Sequence, residues 1–219
     1  MVQQGKVSHF LPNCLIFASV KKVKAMDQKN VEFLRDAQKV YFVAMEGELD
    51  SSQINTPVIF CGVGKGRATR AIVRYIFDHH DLFSSGKGPV IISLGTAGSG
   101  KFKKGEIVLA DNFTNIGDRC IRVPFSFDTF PVPTGISCAS SDYFVGMENF
   151  SPEEIDGFHK EFDCMDMESY ALASVCYELG LKFCAVKCIS DGADKNEASF
   201  DEELPRFKKI LTDFAKSLE

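Results

Sequence analysis

The stretch CMDMESYALASVCYELGLKFCAVKCISDGAD, residues 164–194, decides the fold. Its first acidic cluster, Asp166-Met167-Glu168, opens a run with helical character that closes on Gly180, a residue type common just past a helix end. Its second cluster, Asp191-Gly192-Ala193-Asp194, follows an apolar run, residues 181–189, that is typical of a buried strand. Ligands of open α/β sheets bind beyond the carboxyl ends of strands, so an acid directly after a strand is a candidate site residue.

Strand-like and helix-like segments alternate outward from this stretch. Short apolar runs predict strands at residues 14–19, 39–45, 57–61, 89–94, 106–110, 136–140 and 181–189. Spacing and end signals predict helices at residues 24–38, 67–80, 151–159, 167–179 and 200–218. The alternation predicts an α/β fold, in which residues 1–219 form a single domain with a central mixed β-sheet flanked by helices.

Composition excludes several classes of protein. The net charge is −5 and the basic residues are spread along the chain, which argues against a nucleic-acid partner. No apolar run reaches the roughly 18 to 20 residues that a membrane span needs, and the first residues lack the pattern of a signal peptide. None of the eight cysteines forms a CxxC pair and no HExxH is present, so we expect no metal site and a cytoplasmic protein.

Two glycine-rich turns invite nucleotide-binding interpretations, and both fail in context. In residues 62–67, GVGKGR, Arg67 stands where the third glycine of GxGxxG is required. Residues 95–101, GTAGSGK, match GxxxxGK, but Phe102 stands where a serine or threonine must follow, and a strand comes next instead of a helix. The alternative for both is a tight exit from a strand, which glycine permits.

Taken singly, the acids of residues 164–194 have ordinary structural explanations as first-turn acids, caps or turn residues. Together with the rest of the chain they carry a resemblance. The motifs CGVGKGRA, SLGTAGSG, GEIVLAD, SSDYFV, MDMESYALASVC, CISDGAD and SFDEE occur in the order and approximate spacing of the nucleoside phosphorylase and nucleosidase superfamily. The chain resembles most closely its 5′-methylthioadenosine/S-adenosylhomocysteine nucleosidases.

This resemblance implies a role for individual residues. Asp191 would be the general acid that protonates the purine at N7, and Glu168 with Met167 would hold the ribose hydroxyls. Phe144 would stack on the purine, while the backbone of Val145 would read its edge. The other substrate-binding residues that it implies are Thr96, Ala97 and Gly98 along the ribose and base, Val63 near the ribose, Ser190 beside Asp191, and Phe200 at the 5′ side. The resemblance also implies that no cofactor is needed and that the protein is a homodimer.

The chemistry of N-glycosidic cleavage agrees with these assignments. Breaking the bond places positive charge on the ribose ring and negative charge on the departing base. A carboxylic acid at a desolvated strand end can donate the proton that neutralises the base, and an ionised Glu168 favours the cationic ring. The expected reaction is therefore hydrolysis of a purine nucleoside such as methylthioadenosine or adenosylhomocysteine.

The nucleophile is less clearly indicated. Phosphorylases of this superfamily resemble one another in carrying an arginine just before the glycine-rich turn, where this chain has Ser93. This difference favours water over phosphate, although Arg67, Arg70 and Arg119 are other available cations. A phosphate-dependent phosphorylase therefore stays open as an alternative.

The first 56 residues depart from the family pattern. The nucleosidases place a water-activating glutamate after the first strand, in an Ala-Met-Glu-x-Glu context, but residues 20–23, VKKV, follow the predicted strand at 14–19 without an acid. Residues 44–48, AMEGE, match this sequence motif, but Glu48 lies only 14 residues before Gly62. Either Glu48 serves as the base through a shortened N-terminal region, which is the prediction made here, or the base is absent and the protein is a nucleoside-binding relative.

Overall fold

The structure is a computed structural model that describes residues 26–84, 88–117, 124–192 and 200–219. The predicted strand at residues 14–19, the segment 20–23, Arg119 and Asp194 lie outside these ranges. No helix in the described part is long and apolar enough to cross a membrane.

One continuous sheet organises the described residues. Its nine strands are β1 (Lys39–Val43), β2 (Val58–Phe60), β3 (Val90–Gly98), β4 (Ile107–Ala110), β5 (Asn112–Asn115), β6 (Phe125–Ser126), β7 (Ser137–Ser140), β8 (Cys164–Asp166) and β9 (Phe183–Asp191). The order in one half is β2-β1-β3-β9-β4, in which only β4 is antiparallel to its neighbour. The order in the other half is β8-β7-β5-β6, in which only β6 is antiparallel. The sheet is therefore mixed, as predicted.

The two halves of the sheet meet at the carboxyl end of β3. Gly98, the last residue of β3, pairs with Asp191 of β9 and also with Met165 of β8. The carboxyl ends of the parallel strands β1, β3 and β9 lie at one edge of the sheet, and β8 ends beside them. This edge is where an α/β sheet binds its ligands.

Helices cover both faces of the sheet. They are α1 (Gln28–Asp36), α2 (Lys65–Asp78), α3 (His80–Ser84), α4 (Pro152–Glu161), α5 (Ser169–Glu178) and α6 (Phe200–Ser217), with a 3-10 turn at Ser51–Gln53. Along β1, Val40 and Phe42 pack into the core formed with α2 and α5, whereas Tyr41 and Val43 pack into the core formed with α1 and α6. Since both faces are buried, β1 reads as a continuous apolar run.

The start of α4 confirms a prediction made from its sequence. The side chain of Ser151 accepts a hydrogen bond from the backbone N–H of Glu154, and the side chain of Glu154 accepts one from the backbone N–H of Ser151. Pro152 occupies the first turn, where its missing N–H costs nothing. This capping box fixes the helix that packs beside β8.

Two predicted boundaries at the strand ends are wrong. Residues 95–98 were expected in a glycine-rich turn, but they continue β3 because they pair with β9 up to Asp191. The cluster of residues 166–168 was expected to open a helix, but Cys164–Asp166 form β8, paired in parallel with β7, and α5 begins at Ser169. Glu168 is the N-cap residue of α5.

The phenylalanine-rich segment between Phe113 and Phe130 forms core, with part of it folded as the β5–β6 pair. Phe113 and Phe127 both make edge-on ring contacts with Phe183 of β9. None of the described phenylalanines of this segment lines the cavity described below. The described phenylalanines of this segment therefore pack in the core around β5 and β9.

Candidate active site

A cavity of about 310 Å³ opens at the carboxyl edge of the sheet. All the residues predicted for the site line it, although they come from distant parts of the sequence. They are Glu48 after β1, Val63 before α2, Thr96, Ala97 and Gly98 at the end of β3, Phe144 and Val145 after β7, Met167 and Glu168 after β8, Ser190 and Asp191 at the end of β9, and Phe200 at the start of α6.

Glu48 reaches the cavity from the loop after β1. Its carboxylate is buried, and Oε1 accepts hydrogen bonds from the backbone N–H of Thr96 at 2.8 Å and from Oγ1 of Thr96 at 2.6 Å. Oε2 has no hydrogen-bond partner among the described residues. A Cβ on Gly95 would lie 3.1 Å from Oε1, so the glycine gives Glu48 the space to approach β3. One oxygen is thus anchored and the other is left for a ligand.

Glu168 lines the cavity from the start of α5. Its Oε1 accepts a hydrogen bond of 2.7 Å from the backbone N–H of Gly64, a residue whose φ of +96° favours glycine. Burial and the neighbouring Asp166 charge raise the pKa of Glu168 to about 7, against the opposing effects of Lys187 and of the Gly64 N–H. The carboxyl group of Glu168 therefore changes charge near neutral pH.

Asp166 and Lys187 form a buried ion pair beside Glu168. Nζ of Lys187 lies 2.9 Å from Oδ2 of Asp166 and also donates to Oγ of Ser93 at 3.0 Å. Burial alone would raise the pKa of Asp166, but Lys187 and the hydroxyl donors of Ser140 and Ser169 hold it below its ordinary value. Both members of the pair therefore stay charged.

Asp191 ends β9, next to Gly98 in the sheet register. Oγ of Ser190 donates a hydrogen bond of 2.6 Å to Oδ2 of Asp191. The side chain of Asp191 is half-buried in the cavity wall. This strand end brings a carboxyl group to the same cavity as Glu48 and Glu168.

The segment after β7 carries Phe144 and Val145. It is tied to the start of α2, because Nζ of Lys65 lies 3.1 Å from a carboxylate oxygen of Asp142 and also donates to Oδ1 of Asn115. The carbonyl of Phe144 accepts a hydrogen bond of 3.0 Å from the amide of Asn149. These contacts place an aromatic ring at the cavity wall, as stacking on a base would require.

The charged side chains described in the cavity lining are all acidic. The acidic residues that line the cavity are Glu48, Asp166, Glu168, Asp191 and Asp201, and no described lysine or arginine lines it. Arg67 and Arg70 are exposed on α2, outside the lining. Ser93, which stands at the position of the phosphorylase arginine, is buried against Lys187 and Ser169 and does not reach the cavity. Within the described ranges, no cluster of side chains could hold a metal ion.

The sequence analysis missed some residues of this site. Ala44, Met45, Met165 and Asp201 line the cavity without having been predicted to do so. Met45 belongs to the Ala-Met-Glu-Gly-Glu motif and Asp201 to the SFDEE motif, so both stood next to residues that were predicted. Lys187 gave a different signal, since a lysine inside an apolar strand must find an acidic partner.

Part of the chain is similar in sequence to known proteins. Residues 126–218 match the family model of the phosphorylase superfamily. The 5′-methylthioadenosine/S-adenosylhomocysteine nucleosidase of Haemophilus ducreyi is 40% identical over 75 residues, which cover 32% of this chain and 30% of that protein. The same enzyme of Haemophilus influenzae is 37% identical over 75 residues, 34% of this chain and 32% of that protein. The chain thus spans about a third of the length of the curated relatives it matches.

Solved structures share the fold over most of the chain. A Helicobacter pylori MTAN variant with 5′-methylthioadenosine in its active site matches with a TM-score of 0.64 and 18% identity, covering 83% of this chain and 97% of that one. S-adenosylhomocysteine nucleosidase of Streptococcus pyogenes, in complex with 5-methylthiotubericidin, matches with a TM-score of 0.65 and 18% identity. The match covers 84% of this chain and 96% of that one. Futalosine hydrolase of Helicobacter pylori matches with a TM-score of 0.63 and 19% identity, over 83% of this chain and 97% of that one.

The described fold is therefore shared with these solved structures. The match to the phosphorylase superfamily model covers residues 126–218, which is less than half of the chain.

Proposed function

We propose that this protein hydrolyses the N-glycosidic bond of a purine nucleoside, 5′-methylthioadenosine or S-adenosylhomocysteine, and releases the base. The observation that carries the proposal is the meeting of Glu48, Glu168 and Asp191 in one cavity that no described cation lines. The names of the relatives support the same activity.

Asp191 is the proposed general acid. Protonation of the purine at N7 neutralises the charge that the base gains as the bond between C1′ and N9 breaks. The hydrogen bond from Ser190 to Oδ2 restricts the rotation of the Asp191 carboxyl group. Ser190 therefore supports the proton donor from the neighbouring position on β9.

Glu168 and Met167 are the proposed ribose-binding residues. An ionised Glu168 accepts hydrogen bonds from the ribose hydroxyls and stabilises the positive charge that develops on the ring. The N–H of Gly64 holds Oε1 of Glu168, which leaves Oε2 for the sugar. Thr96, Ala97 and Gly98 form the wall along the ribose and base, with Val63 near the ribose.

Glu48 is the proposed base that activates water. Thr96 holds Oε1, and Oε2, which has no hydrogen-bond partner in the described part of the chain, is the oxygen that takes the proton. A water oxygen then bonds to C1′ as the bond to N9 breaks, one water proton passes to Glu48, and the base receives its proton from Asp191. The position of Glu48 argues against a nucleoside-binding relative that lacks a base.

The remaining residues bind the two ends of the substrate. Phe144 stacks on the purine and the backbone of Val145 reads its edge. Phe200, with Met45 as an additional apolar side chain of the lining, contacts the 5′ substituent. A thioether substituent suits such apolar neighbours.

Water fits the cavity better than phosphate does as the nucleophile. Phosphate carries negative charge, and the lining offers carboxylates and no described cation to balance it. The buried cation nearest to Ser93, Lys187, is already paired with Asp166. The phosphate-dependent phosphorylase is therefore the less supported alternative.

The test is release of free base from methylthioadenosine, adenosylhomocysteine, adenosine, inosine and futalosine, each with and without phosphate. We expect release from the first two without phosphate. Strict dependence on phosphate would establish the phosphorylase instead, and tight binding without release would establish the binding protein.

We also propose that the protein is a cytoplasmic homodimer and that residues 1–219 form one domain. Val73 and Phe77 of α2 are large apolar side chains that face solvent, as are Tyr177 and Leu179 at the end of α5, and α2 packs against α5. Contiguous exposed apolar surface is typical of subunit contacts. Light scattering on the whole chain should give twice the monomer mass, and Phe77→Lys should lower it.

A further inference from the structure

The ion pair of Asp166 and Lys187 lies beside the proposed reaction without taking part in it. Both side chains are almost fully buried, with 1% and 3% of their surface exposed. Asp166 ends β8, two residues before Glu168, and Lys187 stands in β9, four residues before Asp191. The pair therefore joins the strand that leads to the proposed ribose-binding acid to the strand that carries the proposed proton donor.

Stability alone does not account for such a pair. Two charges removed from water lose their hydration, and the attraction between them often only offsets that loss. Apolar residues of similar volume in the same place are often neutral or stabilising. A role in the reaction is a reason for charges at this position that packing does not supply.

Asp166 also controls the backbone that leads to Glu168. Its Oδ1 accepts hydrogen bonds from Oγ of Ser140 at 2.5 Å and from the backbone N–H of Glu168 at 3.3 Å. Its Oδ2 accepts from the N–H of Ser169 at 3.1 Å and from Oγ of Ser169 at 2.5 Å. These bonds fix the turn between β8 and α5, and with it the direction of the Glu168 side chain.

We propose that the Asp166–Lys187 pair is a positioning device, which aims Glu168 at the sugar and balances the charge around it. The proposal rests on the proposed function, because it assigns Glu168 to the ribose. Neither Asp166 nor Lys187 exchanges a proton with the substrate.

The two members of the pair act on Glu168 with opposite sign. Among the described residues, the ionisable groups that act on Glu168 or line its cavity are Asp166 of β8, Lys187 of β9, Glu48 after β1, Cys61 after β2, Asp191 at the end of β9 and Asp201 of α6. The charge of Asp166 raises the pKa of Glu168, whereas the charge of Lys187, the single cation in this set, lowers it. Removing one charge should therefore move the ionisation of Glu168 in one direction, and removing the other should move it in the opposite direction.

The experiment is the pH profile of kcat/KM for base release from methylthioadenosine by the whole protein. In the wild type, activity should fall as the pH drops through the pKa of Glu168. In Lys187→Met, this acidic limb should move up by about one pH unit, because the four remaining donors keep Asp166 ionised. In Asp166→Asn, it should move down. A merely structural pair would lower activity or stability in both variants without shifting the limb in opposite directions.

Three further variants guard against misfolding and general charge effects. The double variant Lys187→Met/Asp166→Asn buries no unpaired charge, so it should fold and place the limb between those of the two single variants. Lys187→Arg keeps the charge and should keep the wild-type limb. Lys209→Met removes a lysine from an exposed Lys–Asp pair on α6 and should change nothing.

The outcomes separate this inference from the proposed function. If the wild type releases base but the two limbs move in the same direction or stay in place, the positioning device is refuted while the function stands. If the wild type releases no base, the proposed function fails. Infrared titration of the Glu168 carboxyl group, with Glu168→Gln as the blank, then measures the same opposite shifts directly, and their absence would refute the charge balance.

Discussion

At the scale of single residues, Asp191 and Glu168 divide the proposed chemistry between the base and the sugar. Asp191→Asn keeps the shape of the side chain and removes its proton. Since general acid catalysis typically contributes about 10² to 10⁴-fold, kcat should fall by that order while KM for methylthioadenosine changes little. Steady-state kinetics and calorimetric binding measure the two effects. Full activity in Asp191→Asn would remove this residue from its proposed role.

Glu168 should make the stability of the protein depend on pH. Because its pKa is about 7 in the folded state and 4.5 ordinarily, the folded protein holds this proton more tightly than the unfolded chain. Glu168 therefore destabilises the fold increasingly as the pH rises from about 4.5 to 7. Glu168→Gln keeps an acceptor for the Gly64 N–H, and it should stabilise the protein above pH 7 by about 3 kcal/mol, with little effect at pH 4.5.

Urea unfolding at pH 5 and pH 8 measures this difference. Glu178→Gln, at the exposed far end of α5, is the matched control and should show no comparable dependence on pH. Equal stabilisation by Glu168→Gln at both pH values would show that the folded protein does not shift the ionisation of Glu168.

At the scale of elements, strand β3 leaves room for Glu48 where it passes the cavity. A Cβ on Gly95 would stand 3.1 and 3.3 Å from the two oxygens of Glu48. Gly95→Ala should therefore displace Glu48 and lower kcat by at least about tenfold, since a misplacement of about 1 Å can cost 10²-fold. Gly157→Ala is the control, because nothing lies within 4 Å of that added Cβ in α4.

The control should keep full activity and gain about 0.5 to 1 kcal/mol from better helix propensity. Steady-state kinetics and thermal unfolding of both variants measure these changes in kcat and in stability. A Gly95→Ala protein with unchanged kcat would show that Glu48 does not need its observed position.

The elements differed in how well the sequence predicted them. Strands such as Lys39–Val43, with both faces buried, form continuous apolar runs and were predicted nearly to their ends. β8 was missed because it has three residues and ends on a charged one, Asp166, whose partner Lys187 lies 21 positions away. The extension of β3 was missed because Gly95 and Gly98 favour a turn locally, and only the pairing with β9 overrides that preference.

Contacts between distant segments also limited the prediction of the site. Family motifs identified most residues of the lining, since each motif is contiguous in the sequence. The ion pair of Asp166 with Lys187 and the contact of Glu48 with Thr96 join distant segments. Only the folded sheet brings those partners together, so no local pattern reports them.

At the scale of the whole molecule, charge should select the substrate. The chain carries a net charge of −5, and carboxylates are the only charged groups among the described lining residues. A nucleoside with a neutral 5′ substituent enters without repulsion, whereas a 5′-phosphate must approach Asp201 and the other acids of the cavity.

Adenosine 5′-monophosphate should therefore be a much poorer substrate than methylthioadenosine, with kcat/KM lower by at least about 100-fold, which corresponds to roughly 2.7 kcal/mol of lost transition-state binding. Adenosine is the control, since it lacks both the thioether and the phosphate. Because salt screens exposed charges such as Asp201 more than buried ones, the gap between adenosine and its monophosphate should narrow as ionic strength rises. Equal kcat/KM values for adenosine and its monophosphate at low salt would show that the acids of the cavity are neutralised by groups beyond the described residues.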